Sequence, residues 1–315
     1  MNNTITNKYF NEISERFTRK NKKKFQQAII EDFAKLGYSG EVDSQKKGFG
    51  KVENIYIGNV KQAKTVIAVP YDTPAKVFWF NNHHYPLNGY ENLRRMFIPL
   101  YAPILITWAV ILFLIYGIPA ITGDKNNFVL ALLAFVALVL LMVLLFVGFP
   151  NKRNIIRNST SVAMAYAIAE QLHKDHAHEV LFVFTDSSKK FVGSEALQKY
   201  LNDHKKNTMG VIVLYCIGSG NLVGINADKI TKNMAKDMLK GYKGDLKIKV
   251  NNIENSDKDN TLAQGLNRVM EISSGYERNG FLVVENTATG KDNAVDDMLA
   301  DEVAQMLVTY LNARK

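Results

Sequence analysis

Two long uncharged apolar runs constrain this chain more than any other feature. Residues 96–123 and 128–150 carry no charged side chain, and only Asp124, Lys125, Asn126 and Asn127 separate them. A bilayer core of ~30 Å is crossed by about 20 helical residues, so each run is long enough to span it. The pair reads as a tight transmembrane hairpin with helices at 96–122 and 128–149. Core helices of soluble proteins rarely stay uncharged on every side for this length. The runs are internal and follow a polar segment, which does not match a signal peptide. Arg94 and Arg95 precede the first run, and Lys152, Arg153 and Arg157 follow the second. Cations favour the cytoplasmic side, so both termini and the globular part are expected in the cytoplasm and the short loop outside. The expected location is a cell membrane, crossed more than once.

The remaining residues, 1–95 and 151–315, suit one discontinuous domain. The single cysteine, Cys216, rules out an intrachain disulfide and fits a reducing compartment. The formal net charge is +9, with Arg16, Arg19, Lys20, Lys22, Lys23 and Lys24 clustered near the start. A cluster of that kind fits an anionic leaflet or a solvated helix face. No groove-reading or aromatic-interleaved basic motif is present, so nucleic acid is not an expected partner.

Periodicity supplies the elements. Residues 7–36 carry Phe25, Ile29 and Phe33 at helical spacing. NIYIG at 54–58 alternates like a strand. TVIAV at 65–69, VLFVF at 180–184 and GVIVLY at 210–215 are short continuous apolar runs, as in strands buried on both faces. Helices are expected at 159–172, 194–201 and 296–311. Alternation of strands and helices implies an α/β fold, a mainly parallel sheet with helices on both faces, interrupted by the inserted hairpin. Sites in such sheets lie beyond the carboxyl ends of the strands.

The loops there carry a series of short motifs. The first buried strand ends Val69-Pro70-Tyr71-Asp72-Thr73. Arg157-Asn158-Ser159-Thr160-Ser161 opens a helix. The next strand runs through Thr185-Asp186-Ser187-Ser188-Lys189-Lys190 to Gly193-Ser194. Leu214-Tyr215-Cys216-Ile217-Gly218 follows, then Ser256-Asp257-Lys258 and Gly265-Leu266-Asn267, and lastly Asn286-Thr287 with Asp292-Asn293-Ala294-Val295-Asp296. In this order they resemble the motifs of the M28 family of zinc aminopeptidases, which includes glutaminyl cyclase-like members. The resemblance covers most of the chain outside the hairpin. It implies two zinc ions held by two His and three carboxylates, with a Glu as general base.

At the matched positions this chain has Pro70 and Asn286 for the histidines, Asn158 for the bridging Asp, Ser188 for the ligand Glu, Tyr215 for the last Asp and Ser187 for the general base. Asp72 alone keeps the family's residue type. Zinc needs thiolate, neutral imidazole or carboxylate donors at about 2.0–2.3 Å, and proline offers none. Lys189 and Lys190 add positive charge nearby. None of the six histidines falls at a matched position. His173, His176 and His178 precede a strand at its wrong end, and His83 and His84 lie on the approach to the hairpin, within reach of the pocket or of the lipid interface.

The expectation is therefore a catalytically inactive, membrane-anchored protein of this family that acts by binding or scaffolding. It would lack a metal site and cofactors, and would serve as a subunit of a membrane complex or a recruiter of a cytoplasmic protein. A neutral or basic pocket at the old site is compatible with a peptide-like ligand. Two alternatives stand beside it: an active membrane-bound metallo-aminopeptidase with an unorthodox metal site, and an accessory hairpin protein of a transporter or assembly.

Overall fold

The three apolar runs lie side by side, as their composition demands. In the computed structural model β3 (Thr65–Pro70), β5 (Val180–Thr185) and β6 (Gly210–Leu214) are fully buried parallel neighbours, with β3 in the middle. The structure describes residues 3–47, 50–76, 83–86, 88–117, 128–186 and 191–314. Successive side chains point to opposite faces of a strand, and the core divides accordingly. Phe182 and Phe184 join Ile67, Val69, Ile212 and Leu214 on one face. Leu181 and Val183 join Val66, Ala68, Val211 and Val213 on the other.

The remaining strands are β1 (Gly40–Lys47), β2 (Gly50–Ile57), β4 (His83–His84), β7 (Leu222–Asp228), β8 (Ile248–Ile253), β9 (Val269–Arg278) and β10 (Phe281–Glu285). The sheet order is β1-β2-β5-β3-β6-β9-β10-β4, with β7 and β8 attached through β9. This corrects the expectation of a mainly parallel sheet: the fold is mixed α/β. Strands β5, β3, β6 and β9 form a parallel core, β7 and β8 pair parallel with each other, and the other pairings are antiparallel. Two antiparallel hairpins account for much of the difference. Asn279 and Gly280, both at positive φ, close the tight turn between β9 and β10, the geometry that an Asn-Gly pair favours.

The helices are α1 (Asn3–Asn7), α2 (Arg19–Lys35), α3 (Gly89–Leu112), α4 (Phe128–Val147), α5 (Thr160–Gln171), α6 (Lys174–Ala177), α7 (Val192–Asp203), α8 (Lys232–Gly241), α9 (Asn255–Lys258) and α10 (Asp297–Asn312). Helices α2, α5, α8 and α10 cover one face of the sheet. Helix α7 and the segment around Leu262–Leu266 cover the other. Phe25, Ile29 and Phe33 of α2 are fully buried, each contributing about 1.5–3 kcal/mol. The helix expected at 7–36 is broken: a π-helical turn at Lys8–Glu12 ends before α2 begins at Arg19, where the Thr18 side chain caps it by accepting from Asn21 N. The interruption buries Arg16.

The apolar runs form two helices that pack on each other. Helix α3 starts at Gly89, earlier than the expected 96, because the Asn88 side chain accepts from Glu91 N at 3.0 Å and sets the start. It continues through a π-helical turn at Phe113–Gly117. The expected loop at Asp124–Asn127 lies outside the described residues. Among the described residues no helix is long and apolar enough to cross a membrane. Helix α4 runs 20 residues, FVLALLAFVALVLLMVLLFV.

Candidate functional site

Register fixes what meets at the carboxyl edge of the sheet. Pro70 pairs with Thr185, so Asp186 and Asp72 follow the ends of neighbouring strands, one and two residues beyond that pair. Both carboxylates are buried. Into this place α2 sends Lys22. Its Nζ lies 2.5 Å from Asp186 Oδ1. Burial draws the Lys22 ammonium down, but the Asp72 and Asp186 carboxylates outweigh it, and the net shift is upward. Asp186 Oδ2 also accepts from Glu53 N at 3.2 Å, and Asp186 N donates to Asn54 Oδ1 at 2.9 Å.

Asn158 sits in the turn that leads into α5 and has no solvent exposure. Its Nδ2 donates to Pro70 O at 2.9 Å and to Asp72 O at 3.1 Å. The amide thus ties the end of β3 to the start of α5, and its Oδ1 has no hydrogen-bond partner among the described residues.

Beneath these groups Arg16 is wholly enclosed. Nε donates to Tyr71 O at 2.6 Å, Nη1 to Ile13 O at 2.8 Å and Nη2 to Ser159 Oγ at 3.0 Å. Its backbone N donates to Thr73 Oγ1, Thr73 N donates back to Arg16 O, and the guanidinium lies 5.2 Å from the Phe25 ring centre. Burial lowers its pKa to about 10, which leaves it charged at neutral pH. The amino-terminal basic cluster is therefore not one surface. Arg16 is core, Lys22 is paired at the strand ends, and Lys23 pairs with Glu53 at 3.1 Å, while Arg19, Lys20 and Lys24 are exposed.

A second group surrounds the end of β6. Tyr215 is buried, with the Arg157 guanidinium 5.6 Å from its ring centre and the His84 ring edge-on at 5.1 Å. Arg157, expected to flank the membrane, instead belongs to this wall. Burial pushes the Tyr215 phenol and the Cys216 thiol up, so Cys216 has no thiolate character. Burial, and then Arg157, lower His84 to about 3. Burial raises Glu271 and Asp292 to about 7. Ser273 Oγ donates to Glu271 at 3.0 Å. Ile156 N donates to Asp292 Oδ1 at 2.7 Å.

Asn286 lies on the loop after β10 at positive φ, and its carbonyl accepts from Thr289 N and Oγ1. Ser187 and Ser188 lie outside the described residues, as do Lys189 and Lys190. Arg94 and Arg95 are exposed on the first turns of α3 and face Glu91 at 3.5 and 3.9 Å. His173 and His178 precede β5 at the far end from the site. Sequence reading missed the places of Arg16, Lys22 and Glu271, and left His84 between the pocket and the lipid interface. Pairing of β4 with β10 carries His84 inward, and nothing in the sequence at 7–36 marks Arg16 for the core.

Among solved structures the fold is similar to a Zn-dependent exopeptidase from Parabacteroides distasonis (TM-score 0.59, 11% identity, 98% of this chain and 96% of that one). It is also similar to Porphyromonas gingivalis glutaminyl cyclase (TM-score 0.57, 12% identity, 98% and 96%). The Legionella pneumophila LapA aminopeptidase is a third (TM-score 0.55, 9% identity, 98% and 68%). No protein-family model and no curated protein sequence matches the chain. The mixed α/β architecture is thus that of the M28-like exopeptidases and glutaminyl cyclases.

The described residues at these strand ends do not fit the zinc pair that the motif resemblance implies. Among the described residues no group of three or more His, Cys, Asp or Glu is arranged to hold a metal. Asn158 turns its N–H groups toward Pro70 and Asp72, and an ammonium stands against the Asp186 carboxylate.

Proposed function

We propose that this chain is a binding protein built on a metallopeptidase fold, without turnover, and held in a membrane by the α3–α4 hairpin. The observation that carries the reading is Lys22. Asp72 and Asp186 are carboxylates at adjacent strand ends, and an ammonium of the chain's own is paired with Asp186 and held electrostatically by both. A dication there meets Coulomb repulsion from Lys22 and finds few anionic or imidazole donors among the described residues. No step through a metal is derived for such a site.

Membrane attachment rests on the hairpin's surface. Leu105, Trp108, Leu140 and Val143 are 68%, 55%, 60% and 53% exposed. Helix α4 is 20 residues, about 30 Å long. Apolar surface of this extent needs lipid or another membrane helix against it. The flanking cations favour a cytoplasmic domain. The binding role takes a cytoplasmic protein or a membrane subunit as partner, with a peptide-like ligand in the old pocket.

Elemental analysis of the full chain, purified with zinc present, tests the site reading, together with assays of aminoacyl anilide hydrolysis and of amino-terminal glutamine cyclisation. The expected result is zinc well below one per chain and no turnover above a blank. Stoichiometric zinc with turnover that disappears in Asp72→Asn overturns the reading in favour of an unorthodox aminopeptidase.

A further inference from the structure

Where α4 returns to the domain, the chain builds a cleft of about 440 Å³ lined by Lys76, Pro150, Asn151, Lys152, Arg153 and Gly290. Three of these six residues are cations and none is acidic. The return is fixed by close backbone contact. Ala75 bridges Pro150, and Lys76 N donates to Phe149 O at 2.7 Å. Gly148 has φ of 79°, and a Cβ there would come within 2.4 Å of the Ala75 side chain, so this approach requires glycine.

The floor is rigid. Asn151 is buried, and its Nδ2 donates to Arg153 O, Asn154 Oδ1 and Thr289 O at 2.7, 3.2 and 3.2 Å. Its Oδ1 accepts from Arg153 N at 3.3 Å. The Arg153 guanidinium is aimed through Nη1, which donates to Gly290 O at 3.1 Å and to the Asn293 side-chain oxygen at 3.3 Å, while Nε and Nη2 make no hydrogen bond among the described residues and can serve a ligand. Gly290 leaves room beside Lys76: a Cβ there would lie 3.9 Å from Lys76 Nζ. Two ammonium groups and a planar guanidinium fork around one concavity match phosphate oxygens.

We infer that this cleft binds an anionic phosphate ester, presented at the lipid surface as a phospholipid headgroup. The phosphate chemistry follows from the cleft; the lipid source rests on the membrane reading above, because Pro150 places the cleft at the foot of the hairpin. Bound there, a headgroup would fix the depth and tilt of the domain against the bilayer, with the strand-end site on the same side.

The test uses the full chain in neutral detergent. Native mass spectrometry counts retained phosphatidylglycerol and phosphatidylcholine from an equimolar mixture, and calorimetry follows free glycerol 3-phosphate. The variants are K76Q/K152Q/R153Q, with K152E alone as a rim change that spares the folded floor, and K20Q/K24Q as a control for non-specific charge. The wild type is expected to prefer phosphatidylglycerol, with roughly fivefold lost per cation removed, and the control is expected to keep the preference. Binding of glycerol 3-phosphate that the cleft variants abolish, without lipid preference, supports the phosphate site and assigns it a soluble ligand. Release of the chain from membranes by alkaline carbonate, with glycerol 3-phosphate binding intact, defeats the membrane reading and leaves the site standing. No preference and no binding in the wild type, or equal losses in cleft and control variants, overturns the inference.

Discussion

The strand-end site and the hairpin invert the usual distribution of residues in opposite ways. The site encloses charge: Arg16 has no exposure, and Asp72 and Asp186 are nearly as enclosed. The hairpin turns Leu105, Trp108 and Leu140 outward. At the site Arg16 and Asp186 have found their counterparts inside the chain: carbonyls for Arg16, an ammonium for Asp186. In the hairpin these apolar side chains stay exposed. The proposed membrane attachment would supply the apolar surrounding that the chain itself does not.

The hairpin half of this contrast breaks most visibly. Val136→Arg with Leu140→Arg puts two cations at the middle of α4. At about 2.5–3.5 kcal/mol each in a bilayer centre, insertion should fall by roughly four orders of magnitude. Carbonate-resistant membrane association measures it. If the double variant stays fully membrane-bound, α4 does not face lipid.

The site half is sharpened by Arg16→Met. It leaves Tyr71 O, Ile13 O and Ser159 Oγ without their donor and should cost about 3–5 kcal/mol in denaturant unfolding. A loss below about 1 kcal/mol would mean that the guanidinium network is incidental.

Glu271→Gln separates burial from charge. Burial raises the folded carboxyl from 4.5 to about 7, so the folded chain holds a proton that the unfolded chain releases between those values. The stability this contributes is complete below about pH 4.5 and is lost as pH rises through about 7. The variant should therefore be more stable than wild type at pH 8, by at most about 3 kcal/mol, and equal to it near pH 4.5. His84 works in the reverse sense, its contribution fading as pH falls from 6.5 toward about 3. It cancels when variant and wild type are compared at one pH. A difference independent of pH would rule out titration of Glu271 as the cause.

Lys22→Met tests whether the chain's own cation holds the carboxylates. The pair is partly exposed, so its loss should cost about 2 kcal/mol. The variant should also gain measurable affinity for a divalent cation that wild type lacks. Unchanged stability together with no gain in cation binding would remove Lys22 from the argument. The smallest effect is expected of Thr18→Ala, about 1 kcal/mol from a lost helix cap, with Lys22 loosened in turn. Thermal unfolding and the cation titration read both.

Several parts of the fold were legible because local pattern and tertiary outcome agree. TVIAV, VLFVF and GVIVL are apolar on both faces, and a strand of that kind has one stable place, the middle of a covered sheet. Thr160–Gln171 and Asp297–Asn312 lie close to where periodicity puts them. The strand ends were correctly located as the region where Asp72, Asn158 and Tyr215 gather. The mixed direction of the sheet was not legible, because β1 and β8 are polar and β10 is only five residues long, and pairing direction is set by connections. The segment 7–36 misled because helical spacing continues across Arg16, and nothing local marks that side chain for the core.

The sequence by itself determined the buried strands, the two apolar runs and which residue types stand at the strand ends. These are properties of side chains taken one at a time, or of their period along the chain. Only the tertiary structure decided which charges meet. Lys22 and Asp186 stand 164 positions apart, as Arg16 and Ser159 stand 143 apart, and no periodicity reaches across such separations. Electrostatic pairing depends on distance in space, and that distance exists only after the apolar core has set the strands in register.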